Sequence, residues 1–193
     1  VLTIAGSVTL GHTIDGSVDD VGAIETSTTG ITVNQTAEIG GIAPIDSIFI
    51  GDTDTWVATA DITTNDDGLD ANNGGVTGDI DLGAVDGGET LVLNEGLTII
   101  GQIDGNAGDF LVIGQDTNGG TFVLSSAVDS IDFSIDSGDV TTEASLGATN
   151  VLADLAIGSD ATLTLDGASN NTVSLDLDGG VSMNAAKALL VTT

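Results

Sequence analysis

The chain contains no cysteine, no tyrosine, no arginine and a single proline, Pro44. Without cysteine there are no disulfide staples, no thiolate zinc sites and no thiol nucleophile, so cohesion has to come from packing or from bound ions. Cationic side chains are almost as scarce: Lys187 stands alone against 30 acidic residues, and the formal net charge is -29. Nothing within the molecule can neutralise that field. It repels nucleic acid and anionic lipid, which excludes nucleic-acid and headgroup binding, and it attracts cations. Long apolar runs are missing too, since no window reaches the eighteen or so residues of a membrane helix, and no membrane insertion is expected. The opening residues carry no Lys/Arg-led signal-peptide pattern. A chain that opens on Val1 reads as processed or excised, and its extracellular or cell-surface location is an expectation from composition.

High net charge is one half of the signature of disorder, but the other half is absent. Hydrophobic residues make up 40% of the chain and the mean hydropathy is +0.33, enough apolar surface to offset the entropy of ordering a core. No Pro-rich or Ser-rich linker divides the sequence, so residues 1–193 read as one all-β domain. The acids are 25 Asp and only five Glu. Asp favours turns and caps and holds its oxygens close to the backbone, whereas Glu is a helix former.

Period-two alternation recurs along the chain, clearest in Ile131-Asp132-Phe133-Ser134-Ile135-Asp136 and in Val173-Ser174-Leu175-Asp176-Leu177-Asp178. One face of each run is apolar and the other carries Asp, Ser and Thr, the pattern of half-buried strands. Similar runs are Leu2 to Leu10, Ile31 to Ile39, Trp56 to Ile62 and Leu97 to Ile103, separated by Gly, Asn and Asp clusters such as Asn72-Asn73-Gly74-Gly75 and Asp86-Gly87-Gly88 that supply tight turns. Only Ser182 to Val191 tolerates a helical reading, and even there the ending Leu190-Val191-Thr192-Thr193 looks extended. A repeat emerges when Thr77-Gly78-Asp79-Ile80-Asp81 is laid on Ile100-Gly101-Gln102-Ile103-Asp104, each leading through a Gly-rich turn to an apolar strand, 90–93 or 110–113; Ile39-Gly40-Gly41-Ile42 leading to 48–50 is a third, looser copy. A repeat of this length matches one coil of a β-solenoid, with a β-sandwich or jelly roll as the alternative. Four Phe and one Trp are too few for a broad two-sheet core and suit a narrow solenoid filled by Val, Ile, Leu and Ala.

The stretches Gly-Asp-Ile-Asp-Leu-Gly (78–83), Asp-Gly-Gly-Glu-Thr-Leu-Val-Leu (86–93) and the run from Gly101 to Ile113 give the chain a texture that resembles bacterial autotransporter passengers and related surface-layer or repeat adhesins. That resemblance implies a secreted solenoid or surface-array protein acting in adhesion, protection or fibre formation, and transfers no functional residue. Asn106-Ala107-Gly108-Asp109-Phe110-Leu111 resembles a degraded calcium-binding nonapeptide of RTX proteins, with its first glycines displaced and no tandem copies, and marks Asp109 as a ligand.

Calcium is the ion this composition would hold. Asp70, Asn72, Gly75 and Asp81 fall at positions 1, 3, 6 and 12 of an EF-hand-like loop, flanked by Asp66 and Asp67; position 5 is Gly74 and the last ligand is Asp in place of Glu, against the plain reading of a solvated Asx-rich loop. Asp19, Asp20, Asp52, Asp54, Asp136 and Asp139 are weaker sites of the same kind. Catalysis finds little support. Paired Asp residues arise by chance in any acidic β-protein, there is no arginine to hold an acidic sugar, His12 is solitary, and Trp56 suits core packing better than sugar stacking. Asn34 and Asn170 open formal glycosylation sequons. Lys187 is either solvated or paired with an Asp of a neighbour.

The expected function is a non-catalytic structural protein that self-assembles into a filament, sheath or surface array through β-strand edges, with segments 1–10 and 188–193 at the subunit contacts and cations screening the carboxylates. The alternatives are a monomeric adhesin or passenger segment with a carbohydrate or matrix ligand, and a polysaccharide-active β-helix enzyme.

Overall fold

The computed structural model describes residues 1–16, 22–51, 53–64, 80–82, 88–94, 97–100, 103–105, 108–114, 121–124, 128–148, 150–168, 170–183 and 188–191. Within them the chain is a β-solenoid: most strands are short, every pairing is parallel, and there is no helix. A first row of strands is a six-stranded sheet of Leu2–Ile4, Ala23–Thr26, Ser47–Ile50, Ile80–Leu82, Ile103–Gly105 and Val128–Asp129. A second row runs through Val8–Leu10, Thr32–Gln35, Thr55–Ala58, Thr90–Leu93 and Phe110–Ile113 into the first halves of Asp132–Thr142 and Leu152–Leu165, then Asn170–Leu177 and Leu189–Val191. A third comprises Ile62–Thr63, Thr98–Ile100, Thr121–Leu124, the second halves of the two long strands, and Gly180–Met183.

The alternation read from the sequence acts at the scale of a coil. Parallel neighbours lie roughly 4.7–4.9 Å apart, so a residue on one coil stacks on its register partner in the next, and apolar columns form along the axis. Ile24, Ile48, Ile80, Ile103 and Val128 make one such column; Val33, Trp56, Leu91, Leu111, Phe133 and Leu155 make a second, and all are buried. Each Ile, Leu or Val so buried contributes about 1.5–3 kcal/mol. The wide Trp56 ring needs its polar edge satisfied. Its Nε1 donates to Gln35 Oε1 at 3.0 Å, and Gln35 Nε2 lies within hydrogen-bonding distance of the carbonyls of Ala37, Ala60 and Asp61. The buried Gln35 thus ties the tryptophan to the corner between second and third rows. At the other end buried Asn170 does similar work, accepting from Leu146 N and donating to the carbonyls of Gly167 and Ala188.

The repeat found in the sequence is a stacking register: Ile80 pairs with Ile103 and Asp81 with Asp104, and Thr90–Leu93 pairs residue for residue with Phe110–Ile113. The looser third copy is out of phase. Ile48, aligned in the sequence with the 90–93 strand, stacks on Ile80 instead, while Trp56 stacks on Leu91, and Ile42 is exposed. The Gly-Gly match there marks a corner and not a strand. Runs read as single strands are also split by corners: Leu2 to Leu10 is two strands in different rows, and Leu97 to Ile103 likewise. The helical reading of Ser182 to Val191 is replaced by strand at Gly180–Met183 and Leu189–Val191, with 184–187 outside the described residues.

Corners set the tolerance of the coil. Gly30 and Gly40 share a backbone φ of +73°, which side chains rarely adopt. A Cβ on Gly30 would meet nothing within 4 Å, whereas one on Gly40 would run into the Thr63 carbonyl of the next coil. Gly30→Ala is therefore expected to cost about 1–2 kcal/mol, the left-handed penalty alone, and Gly40→Ala at least about 2 kcal/mol more because coils must separate. Urea unfolding followed by the fluorescence of buried Trp56 measures both; equal costs would contradict tight coil contact at this corner.

Candidate functional site

Just before each second-row strand lies one residue per coil in register, and these form a column of Ile31, Asp54, Glu89, Asp109 and Ile131. The register follows from the backbone bonds: Thr55 N donates to Ile31 O, Thr90 N to Asp54 O, Phe110 N to Glu89 O and Asp132 N to Asp109 O. The three acids are 1%, 2% and 0% exposed. Each uses one carboxylate oxygen to accept amide protons that the corner of the preceding coil would otherwise leave unpaired. Ile31 N donates to Asp54 Oδ1 at 2.8 Å, Thr53 N to Glu89 Oε1 at 3.2 Å, and Gly88 N and Glu89 N to Asp109 Oδ1 at 2.9 and 3.3 Å. Buried N–H groups require such acceptors, so these acids close the corners.

The remaining oxygens are the chemical cost of that arrangement. Asp54 Oδ2 and Glu89 Oε2 are buried and accept no hydrogen bond. Burial, then hydrogen bonding to Asp109 and its negative charge, push the Glu89 carboxyl from 4.5 up to about 7. Two carboxylates cannot bond to each other without a proton, so a protonated Glu89 that donates to Asp109 relieves both.

On the outer surface, the column one residue further along carries Phe110, Asp132 and Asp154 on consecutive coils. The parallel outward column carries Val112, Ser134 and Ala156. Together with Phe133 and Asp136 these residues line a groove of about 350 Å³. The register between the two long strands shifts after Ile135, where Asp136 stands opposite Gly158 and Ser159 so that the extra residue falls on Leu152–Leu165, and Ser134 Oγ donates to Asp136 Oδ1 at 2.8 Å. Burial, and secondarily the charge of Asp154, raise the Asp132 carboxyl above its ordinary 3.8. Asp154 Oδ1 is buried and accepts no hydrogen bond.

Of the residues singled out as calcium ligands, Asp66, Asp67, Asp70 and Asn72 lie outside the described residues, as do Asp19, Asp20, Asp52 and Lys187. Asp81 and Asp109 are described and buried, but they belong to different parts of the coil: Asp81 stacks on Phe49 and Asp104 in the first row, and Asp109 sits at the entry to the second. Among the described residues no group of acidic or histidine side chains is disposed to hold a metal ion. Trp56 is fully buried, so it offers no surface to a sugar. Sequence reasoning missed Glu89 and gave Asp54 little weight, because an acid beside Gly or Asp reads as solvated turn; their signal is their place immediately before stacked strands. It also missed the grouping of Phe110 with Asp132 and Asp154, which requires the coil register.

Glu89 makes stability depend on pH with a definite sign. The folded state retains a proton between about 4.5 and about 7 that the unfolded chain has already lost, so stability is fullest below that window and falls as pH rises through it. The loss reaches roughly 3 kcal/mol. Glu89→Gln, which donates to Asp109 without titrating, is expected to remove most of that fall in urea unfolding at about pH 5 and about pH 8; an unchanged difference would contradict the assignment. Comparison with protein-family models, curated proteins and solved structures finds no match for this chain.

Proposed function

We propose that the chain is a non-catalytic, extracellular structural protein that self-associates end to end, extending its own solenoid into a filament, sheath or surface array with cations screening the carboxylates between copies. The observation that carries this reading is that the apolar columns run out uncovered at both ends of the described stack. Leu2 and Val8, register partners of Ile24 and Val33, are 43% and 36% exposed; at the opposite end Leu177, partner of Ile157, is 47% exposed. The strand edges there are unpaired among the described residues: Leu2–Ile4 and Val8–Leu10 border their rows at one end, Leu189–Val191 at the other. A solenoid end of this kind calls for a cap or another coil. Joining one end to the other is a head-to-tail contact, which builds open filaments in place of closed rings. The net charge of -29 opposes that joining, and divalent cations such as calcium offset it.

Val8→Lys and Leu177→Lys place a charge within the end columns, whereas Val123→Lys places the same charge on the exposed side of the third row. Negative-stain microscopy and light scattering are expected to show filaments for the parent chain and for Val123→Lys, short or no filaments for the two end variants, and shortening by a calcium chelator. Monomers of the parent chain with and without calcium would contradict the proposal.

The groove favours a second reading, a surface adhesin whose shaft carries a ligand site. An exposed aromatic ring beside carboxylates suits recognition better than a solvated face requires.

A further inference from the structure

Phe110 is unlike the other described aromatic side chains. Trp56, Phe122 and Phe133 are fully buried or nearly so, and Phe49 is partly buried, whereas Phe110 is 42% exposed on an outward column where its counterparts on the two preceding coils are Thr55 and Thr90. Its neighbour on the next coil is Asp132 and the one after is Asp154, so ring, carboxylate and carboxylate follow at roughly 4.7–4.9 Å intervals along the axis. Val112 and Ala156 border this line, Ser134 stands between them, and Asp136, outward like Asp132 and Ser134 by strand alternation, also lines the groove.

The groove therefore offers three carboxylates, one aromatic face and an apolar flank, and these properties together select a ligand. Calcium needs six to eight oxygens converging on one point, whereas among the described residues no group of acidic side chains is disposed to hold a metal ion and half of this lining is aromatic or aliphatic. A neutral sugar would stack on the ring but leave the mutual repulsion of Asp132 and Asp154 in place. A guanidinium group meets every requirement: it is planar, stacks on an aromatic face, and donates in parallel pairs to carboxylates, while the alkyl stem that carries it packs on aliphatic side chains. Burial first, and then the charge of in-register Asp154, raise the Asp132 carboxyl, and Asp154 Oδ1 accepts no hydrogen bond.

We propose that the groove formed by Phe110, Asp132, Ser134, Asp136 and Asp154 is a docking site for an arginine side chain of a basic partner protein. Residues 1–193 contain no arginine, so a second copy of this stretch cannot supply one. The field of the whole molecule draws basic partners towards its surface, and the groove supplies what a diffuse field lacks, a defined geometry.

The test separates geometry from charge. A pentapeptide, acetyl-Gly-Gly-Arg-Gly-Gly-amide, is titrated into the protein by NMR in about 0.15 M salt, where remote charges are screened over about 8 Å. Citrulline at the central position gives the neutral isostere. Phe110→Ala and Phe110→Leu leave the net charge untouched, Asp132→Asn removes one charge at the groove, and Asp139→Asn removes one from an exposed third-row position. Binding of the arginine peptide is expected to weaken about tenfold in both Phe110 variants and in Asp132→Asn, to be unchanged in Asp139→Asn, and to be absent for citrulline. Trp56 fluorescence checks that each variant is folded, and Phe110→Leu preserves apolar bulk should Phe110→Ala unfold. Affinity in both Phe110 variants equal to that of the parent chain, or losses that follow net charge alone, would overturn the proposal. So would free arginine amide binding as tightly as the peptide, which would make the ligand a small molecule.

Discussion

Parallel coil stacking in register governs this molecule, because it sets each side chain beside its counterpart on the next coil. For apolar residues that is favourable, and continuous columns of Ile, Leu and Val supply the core in a chain with five aromatic residues and no disulfide. For acids it is the opposite. In-register carboxylates face one another at the coil spacing, and a chain with one lysine has almost no internal means of compensation. The structure answers in two ways. Asp54, Glu89 and Asp109 are turned inward and given backbone N–H groups, at the expense of a raised Glu89 carboxyl, while Asp132 and Asp154 are left side by side on the surface beside Phe110.

Those two answers imply different roles. The inward column is architectural: its acids accept amide protons released at corners, and its sensitivity to pH follows from making that connection with groups that can ionise. The outward pair has no such architectural duty. A surface of solvated Thr, as on the preceding coils at Thr55 and Thr90, would serve the fold equally well, and this is why the groove reads as a recognition element.

Much of the fold was legible because a solenoid repeats its own solution. The shift that aligns Ile80 with Ile103 is the register of the coil, and the alternation in 131–136 places Asp132 and Ser134 outside and Phe133 and Ile135 inside, as the burial confirms. What escaped depended on corners. Gly40-Gly41 looks like the turn ahead of an apolar strand, yet the coil changes row there, and one misplaced corner moves every later residue to the wrong column. Asp54 and Glu89 were obscure for a related reason: Asp and Gly neighbours signal a solvated turn, and only the backbone partners of Ile31, Thr53 and Gly88 reveal that the turn is covered. The groove combines residues from three coils, so no local motif contains it.

If the same stacking that builds one molecule also joins copies, the layer spacing must continue through the joints. Cryo-electron microscopy of assembled filaments measures this directly. The account predicts an unbroken layer repeat of about 4.7–4.9 Å along the filament axis, with Val8 and Leu10 of one copy continuing the columns that end at Leu175 and Leu177 of the next. Filaments whose subunits touch only along their sides, leaving the end columns apart, would contradict it.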